Sequence, residues 1–134
     1  MTKGTEGPVH RISTARAPQA IGAYAQATSA EGRLVFVSGQ LPLDPVTGEI
    51  VAGDIEDHVK QCMHNLGEIL KEAGLSCGNL VKTTVYVTDM TLFPVVNRAY
   101  QSFFPGEEYP ARAVVEVSAL PRGCQVEIEG TAVG

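Results

Sequence analysis

The segment from residue 81 to residue 88 alternates between two kinds of side chain, and this alternation constrains the fold more than any other feature of the chain. One set is Val81, Thr83, Val85 and Val87, and the other is Lys82, Thr84, Tyr86 and Thr88. A period of two predicts a β-strand with one apolar face and one mixed face. Helical patterns lie on both sides of the segment, so we expect a sheet that helices cover on one face.

The first helical pattern begins after Asp54, a good N-cap residue, and ends at Gly74, which is suited to terminate a helix. Glu56 and Asp57 place negative charge in the first turn, where the helix dipole favours it. Apolar residues recur at steps of three and four and predict one buried stripe: Ile55, Val59, Cys62, Leu66, Ile69 and Ala73.

The second helical pattern runs from about Leu92 to Phe103, with Thr91 as its predicted cap. Pro94 falls within the first turn, where the missing N–H is tolerated. The predicted inward face consists of Phe93, Val96, Tyr100 and Phe103.

The remaining apolar segments predict five more strands. A first strand covers 9–13, and the segments 24–29 and 34–38 predict a hairpin around Gly32; two further strands cover about 111–117 and 125–133. The order β-β-β-α-β-α-β-β over residues 1–134 predicts a single α+β domain with two helices packed on one face of the sheet. The other face, with Thr84, Tyr86 and Val114, is too apolar for simple solvation and predicts self-association.

Composition limits the classes of partner and compartment. The net charge is −5 and the ten basic residues are scattered, so general attraction to a nucleic-acid backbone is not expected. No apolar run approaches the roughly 18 residues of a membrane span. The first seven residues lack the apolar core of a signal peptide, and the three cysteines have no metal-type spacing. These features predict a soluble, cytoplasmic protein with reduced thiols.

The last two strands carry opposite charges. Arg112, Val114 and Glu116 share one face of their strand, and Glu127 and Glu129 share one face of the next. If these two strands pair, Arg112 and Glu127 line one pocket in which the guanidinium can bind a substrate carboxylate. The alternative is a structural ion pair of Arg112 with a neighbouring glutamate, and Glu127 alone would ordinarily be a solvated strand residue.

Several blocks of sequence carry a resemblance to a known family. They are residues 17–24 (APQAIGAY), 35–42 (VFVSGQLP), 79–87 (NLVKTTVYV), 109–117 (YPARAVVEV) and 120–130 (LPRGCQVEIEG). In this order they resemble the Rid (RidA/YjgF) family of imine and enamine deaminases, also known as L-PSP endoribonucleases. The resemblance implies a chorismate-mutase-like, YjgF-type fold with a mixed β-sheet. It also implies a homotrimeric barrel with three clefts between subunits.

The resemblance implies hydrolysis of small 2-imino acids and their enamine tautomers to 2-keto acids and ammonia. It assigns Arg112 to the substrate carboxylate and Glu127 to the hydrolytic water. It places Gly39 and the backbone of Ala113 and Val114 around the ligand.

Three further residues, two in these blocks and Asn97 in the family-like segment 96–100 of the second helix, are candidates for substrate binding. Ser38 ends a strand beside Gly39; Tyr24 closes the pocket or simply packs; Asn97 touches the cleft or bonds its helix to a neighbour. Val114 stands where many relatives have a cysteine, so thiol chemistry is not expected there.

Other functions remain open on the residues alone. An endoribonuclease acting in translation inhibition would have His10, His58 and His64, but neither a paired histidine site nor a basic stripe. A noncatalytic trimer that binds small ligands would need the arginine without the glutamate. A metal site at His58 and Cys62 lacks a third ligand. No glycine-rich phosphate loop lies between a strand and a helix, so no organic cofactor is expected.

Overall fold

The computed structural model describes residues 8–134. The elements are β1 (Val9–Ile12), β2 (Ala27–Ala30), β3 (Leu34–Gln40), α1 (Ile55–Glu72), β4 (Leu80–Val87), α2 (Phe93–Gln101), β5 (Ala111–Glu116) and β6 (Val126–Val133). This order confirms the predicted sequence of strands and helices. The expectation that the first seven residues hold no signal peptide falls on a segment outside the described residues.

Four strands form a mixed sheet in the order β3-β6-β4-β5. Strands β4 and β5 run parallel, whereas β6 is antiparallel to both β3 and β4. The predicted β2–β3 hairpin is wrong, because β2 pairs with β1 in a separate two-stranded sheet. Gly32 does take a positive φ of 135° between them, but Arg33 then exchanges backbone hydrogen bonds with Gly134 at the end of β6. The C-terminal strand therefore occupies the position that the hairpin partner would have taken.

Helix α1 begins as predicted. The Asp54 carboxylate accepts a hydrogen bond from the Asp57 backbone N–H, and the Asp57 side chain accepts one from the Asp54 N–H, which satisfies two otherwise free donors. The predicted stripe is wrong at Ile69, which is 41% exposed, while Met63 and Leu70 are fully buried. After Leu66 the inward face continues with a step of four residues rather than three, and both steps fit a 3.6-residue period.

Helix α2 is shorter than predicted and follows a 3₁₀ turn at Met90–Leu92. Asp89, not Thr91, caps this turn: its carboxylate accepts hydrogen bonds from the backbone N–H and the hydroxyl of Thr91, at 2.9 and 2.6 Å. Asp89 takes the capping role because the chain already forms this 3₁₀ turn before α2 begins at Phe93. The fully buried face of the helix consists of Val96, Ala99 and Tyr100.

Both helices pack on one face of the four-stranded sheet, and the core lies between them. The opposite face, here called the outer face, carries Phe36, Thr84, Tyr86, Glu127 and Glu129, as the strand pairing and alternation require.

Exposed apolar side chains lie on this outer face. Phe36 is 73% exposed, Leu34 57% and Val115 39%. The expectation that Val114 also lies there is wrong: it pairs with buried Val85 and packs against the core. Within the described part of the chain, no helix is long and apolar enough to cross a membrane.

Candidate active site

The guanidinium of Arg112 lies among three aromatic rings on the helix-covered side of the sheet. Its Cζ atom is 5.0 Å from the ring centroid of Tyr100, 5.6 Å from that of Phe93 and 5.7 Å from that of Tyr24. Such cation–π contacts favour a charged guanidinium by roughly 0.5–2 kcal/mol each, depending on solvent exclusion. Strand β5 supplies the arginine from the sheet edge, and helix α2 supplies two of the rings.

Arg112 forms no ion pair with a carboxylate of the described residues. Within residues 8–134 the ion pairs are Lys60–Glu56 and Arg122–Glu49, and Glu116 instead accepts a hydrogen bond from the Met90 backbone N–H at 2.7 Å. The structural ion pair considered from the sequence is therefore absent from this region. Partial burial lowers the pKa of the Arg112 guanidinium, which nevertheless stays charged. A partly desolvated cation without a counter-ion is suited to bind an anion.

One side of the arginine is held in place by Asn97. Arg112 Nη1 donates a 2.8 Å hydrogen bond to Asn97 Oδ1, so Asn97 joins α2 to β5, which is one of the two roles expected for it. The other terminal nitrogen, Nη2, lies next to Gly22, where a Cβ atom would be 3.5 Å away. The same loop carries Tyr24, whose hydroxyl accepts a hydrogen bond from the Ile21 N–H at 3.3 Å.

Two residues of this site, Phe93 and Tyr100, were assigned to the core rather than to the site by the sequence reasoning. Helical spacing offered the missing signal, because Phe93, Asn97 and Tyr100 follow one another at steps of four and three and so share one face of α2. A polar residue between two aromatic residues on an inward face indicates a buried polar partner, which here is Arg112.

Glu127 lies on the outer face beside a bulge in β3. Val37 pairs with Gly130 and Gln40 with Ile128, so two residues of β3, Ser38 and Gly39, lie opposite a single residue of β6. A Cβ atom on Gly39 would overlap the Glu127 carboxylate, so glycine is needed here for space. Among the described residues no donor is hydrogen-bonded to the Glu127 carboxylate.

The neighbouring carboxylate, Glu129, is already engaged. The Tyr86 hydroxyl donates a 2.9 Å hydrogen bond to Glu129 Oε1, and this bond raises the pKa of Tyr86. Tyr86 is the direct cross-strand neighbour of Glu127, yet it bonds diagonally to Glu129. Glu127 is therefore the carboxylate that remains free to act on a bound molecule.

The strand pairing that would place Arg112 and Glu127 in one pocket on the same sheet face does not occur. Strand β4 separates β5 from β6, so the two strands do not pair. Arg112 pairs with buried Thr83 on the helix-covered face, whereas Glu127 pairs with Tyr86 on the outer face. Alternation alone does not specify strand order. In the structure β5 pairs in parallel with β4 at the edge of the sheet and does not pair with β6.

The remaining candidates lie on or near the same strands. Ala113 is on the outer face of β5, and Val114 is on the inner face with Arg112. Because β5 is an edge strand, one side of its backbone is not used by the sheet. Ser38 accepts a hydrogen bond from Gln40 Nε2 through its backbone oxygen at 3.2 Å.

The residues considered for a metal site are involved in other contacts. Cys62 is fully buried in the core with its thiol 3.9 Å from the Val126 oxygen, and burial raises the pKa of this thiol. His58 Nε2 lies 3.0 Å from the Val51 oxygen. Among residues 8–134, no group of three or more His, Cys, Asp or Glu side chains is arranged to hold a metal ion.

Comparison with known proteins identifies relatives of this chain. The sequence profile of the endoribonuclease L-PSP family matches residues 14–134. The chain belongs to this family. A 2-iminobutanoate/2-iminopropanoate deaminase of Mus musculus is 51% identical over 122 residues, which are 91% of this chain and 89% of the mouse protein.

Solved structures extend the L-PSP family likeness to the fold. Escherichia coli TdcF with bound serine has a TM-score of 0.72 and 43% identity, covering 92% of this chain and 98% of TdcF. The Rid-family protein YyfA of Yersinia pestis has a TM-score of 0.73 and 42% identity, covering 94% and 99%. The resemblance to the Rid family and the α+β fold class are thereby confirmed.

Proposed function

We propose that this protein is a deaminase that hydrolyses small 2-imino acids, and their enamine tautomers such as 2-aminoacrylate and 2-aminocrotonate, to 2-keto acids and ammonia. The observation that carries the proposal is the Arg112 guanidinium, which lies among three aromatic rings and forms no ion pair within residues 8–134. The mouse relative, at 51% identity, is named for this activity.

Arg112 is proposed to bind the substrate carboxylate. Its Nη1 is already directed by Asn97, which leaves the other guanidinium N–H groups to face the ligand. A charge-assisted hydrogen bond of this kind contributes about 1.5–3 kcal/mol, and a bidentate pair also fixes the orientation of the substrate. Tyr24 would then cover the bound acid from the loop that passes beside Nη2.

Glu127 is proposed to act on the hydrolytic water. As the water oxygen bonds to C2, the carboxylate takes one water proton and passes it to the imine nitrogen, which gives a carbinolamine. Glu127 then takes the hydroxyl proton and returns it to the amine, so that the C2–N bond breaks and ammonia leaves with formation of the keto group. General base catalysis of this kind contributes roughly 10²–10⁴-fold in rate. Gly39 leaves the space in which the carboxylate sits.

The complete site requires more than one copy of the chain. Arg112 and Glu127 lie on opposite faces of one sheet, so a substrate cannot touch both side chains of one copy. The outer face that carries Glu127 also exposes Phe36, Leu34 and Val115, which self-association would bury. A homotrimer with sites between subunits satisfies both requirements, and the backbone of Ala113 and Val114 on the edge strand and Ser38 on the bulge would face such clefts.

A coupled assay tests the activity. A pyridoxal-phosphate-dependent threonine dehydratase supplies 2-iminobutanoate in the presence of semicarbazide, which traps imine that has not been hydrolysed. Wild-type protein is expected to divert imine to 2-oxobutanoate, and Arg112→Ala is expected not to, while both keep the same oligomeric mass. The absence of diversion by the wild type would overturn the proposal. RNA cleavage that persists in Arg112→Ala and Glu127→Gln would favour the endoribonuclease instead.

A further inference from the structure

Below Arg112 lies a buried pair of hydroxyl groups that the proposed reaction does not use. The Thr83 Oγ1 and Tyr100 OH oxygens are 2.7 Å apart, so one hydroxyl donates to the other. Tyr100 is fully buried, and Thr83, at 1% exposure, is the buried polar residue of the described chain. A hydrogen bond in such a dry environment is costly to break, because either hydroxyl would be left without a partner.

The pair is connected to Arg112 from two directions. Thr83 is the cross-strand neighbour of Arg112 in the β4–β5 pairing, so both side chains leave the sheet on the same face and side by side. Tyr100 reaches down from α2, places its hydroxyl on Thr83 and its ring 5.0 Å from the Arg112 Cζ atom. Thr83, the cross-strand neighbour of Arg112, therefore holds in place the Tyr100 ring, which is the closest of the three rings to the guanidinium.

We infer that the Thr83–Tyr100 hydroxyl pair is a positioning device that holds the Arg112 guanidinium in the orientation that binds the substrate carboxylate. The inference rests on the proposed role of Arg112 as the carboxylate anchor. Asn97 fixes one terminal nitrogen of Arg112. The Tyr100 ring, which is held by Thr83, fixes the plane of the guanidinium group. Burial raises the pKa of Tyr100 to about 12, so its hydroxyl keeps the proton for this bond across the working pH range.

Thr83→Val and Tyr100→Phe each remove one hydroxyl with little change of shape. We expect each to raise KM for the imino acid roughly three- to tenfold while kcat changes less than about twofold, because binding geometry is affected and the water-activating carboxylate is not. Thr28→Val is the matched control. The Thr28 hydroxyl, on β2, donates to the Val81 oxygen of β4 at 2.6 Å and forms no hydrogen bond with Arg112 or Tyr100, so KM should stay at the wild-type value.

A double-mutant cycle separates positioning from general loss of packing. In an Arg112→Lys background the fork that the ring orients is gone, so Thr83→Val should add no further rise in KM. The double variant Thr83→Val/Tyr100→Phe leaves no unsatisfied hydroxyl and should fold even where a single variant does not. A wild-type KM in Thr83→Val and Tyr100→Phe would overturn the inference. So would a rise in KM on Thr83→Val that is equally large in the wild-type and Arg112→Lys backgrounds.

Binding of 2-oxobutanoate, measured by calorimetry, keeps the test independent of turnover. If the protein hydrolyses no imine but binds the keto acid through Arg112, the proposed function fails, and the inference is judged by whether Thr83→Val weakens that binding roughly three- to tenfold. If turnover is present and KM does not respond, the inference alone fails. If no binding depends on Arg112, both are overturned.

Discussion

Arg112 and Glu127 lie on opposite faces of the same four-stranded sheet. Arg112 is level with Thr83 of β4 and Glu127 with Tyr86, which places them three residues apart along β4, roughly 10 Å at 3.3 Å per residue. One side chain lies under α2 and the other lies on the outer face beside the β3 bulge. A site that uses both must therefore draw them from two copies of the chain.

Mixing two inactive variants tests this arrangement directly. Arg112→Ala keeps an intact glutamate and Glu127→Gln keeps an intact arginine, so a mixed oligomer contains some clefts with both groups. If a trimer exchanges subunits at random from an equal mixture, about a quarter of its clefts receive both, and about a quarter of wild-type activity should return. Activity is measured in the semicarbazide assay after unfolding and refolding together.

Each variant refolded alone serves as the control and should stay inactive. Native mass spectrometry confirms that mixed oligomers have formed. If mixed oligomers form and no activity returns, the two residues do not complete one another's sites.

Glu127→Gln should lower kcat roughly 10²–10⁴-fold, because the amide cannot accept the water proton. Binding of 2-oxobutanoate should be nearly unchanged, since Arg112 holds the carboxylate. Steady-state kinetics and calorimetry on the same preparation give both quantities.

Glu129→Gln is the matched control, two residues along the same strand face. It weakens the bond with the Tyr86 hydroxyl but leaves Glu127 in place, so most activity should remain. An equal loss of kcat in the two variants would argue against a special role for Glu127.

Gly39→Ala should lower kcat up to roughly 100-fold, because the new Cβ atom occupies the position of the Glu127 carboxylate and displaces it. Gly39 does not have a positive φ, so the backbone itself tolerates alanine. The expected loss is therefore in catalysis more than in folding, and kcat and the thermal midpoint are measured together.

Gly67→Ala in α1 provides the contrast. The nearest atom that its Cβ would meet is Cys77 Sγ at 3.9 Å, an ordinary contact. Replacing a helical glycine should raise the free energy of unfolding by about 0.5–1 kcal/mol and leave kcat unchanged. A loss of activity in Gly67→Ala as large as in Gly39→Ala would show that general packing, rather than the carboxylate position, is responsible.

The fold could be predicted where one local pattern decided the outcome. The alternation of residues 81–88 predicted β4, because only in a strand does every second side chain lie on the same face. Asp54 predicted the start of α1, because its carboxylate accepts a hydrogen bond from a backbone N–H that would otherwise be free. Ile69 and Leu70 were not distinguished, since steps of three and four fit a helix equally well.

The candidate site could be predicted by residue but not by arrangement. Arg112, Asn97 and Tyr24 do lie together, but the face of Glu127 relative to Arg112 depends on strand order, which alternation does not encode. Tyr100 was assigned to the core, because a helix residue that is simply buried and one that supports a guanidinium occur at the same spacing. Long-range pairing therefore decided what local patterns left open.

Phe36→Asp should break the proposed oligomer. Phe36 is 73% exposed on the outer face, on edge strand β3 and beside the sheet surface that carries Glu127. A buried charge in such an interface is costly unless it is paired, so association should weaken strongly. Light scattering should show a fall in mass from the wild-type oligomer to the monomer, and activity should fall with it because the clefts are lost.

Val46→Asp is the matched control for this change. Val46 is 92% exposed in the loop between β3 and α1 and belongs to none of the sheet strands, so the same charge should leave mass and activity unchanged. If Phe36→Asp keeps the wild-type mass, the outer face is not the association surface. If it becomes monomeric and stays active, a single copy completes the site, and the assignment of Arg112 and Glu127 to different copies is wrong.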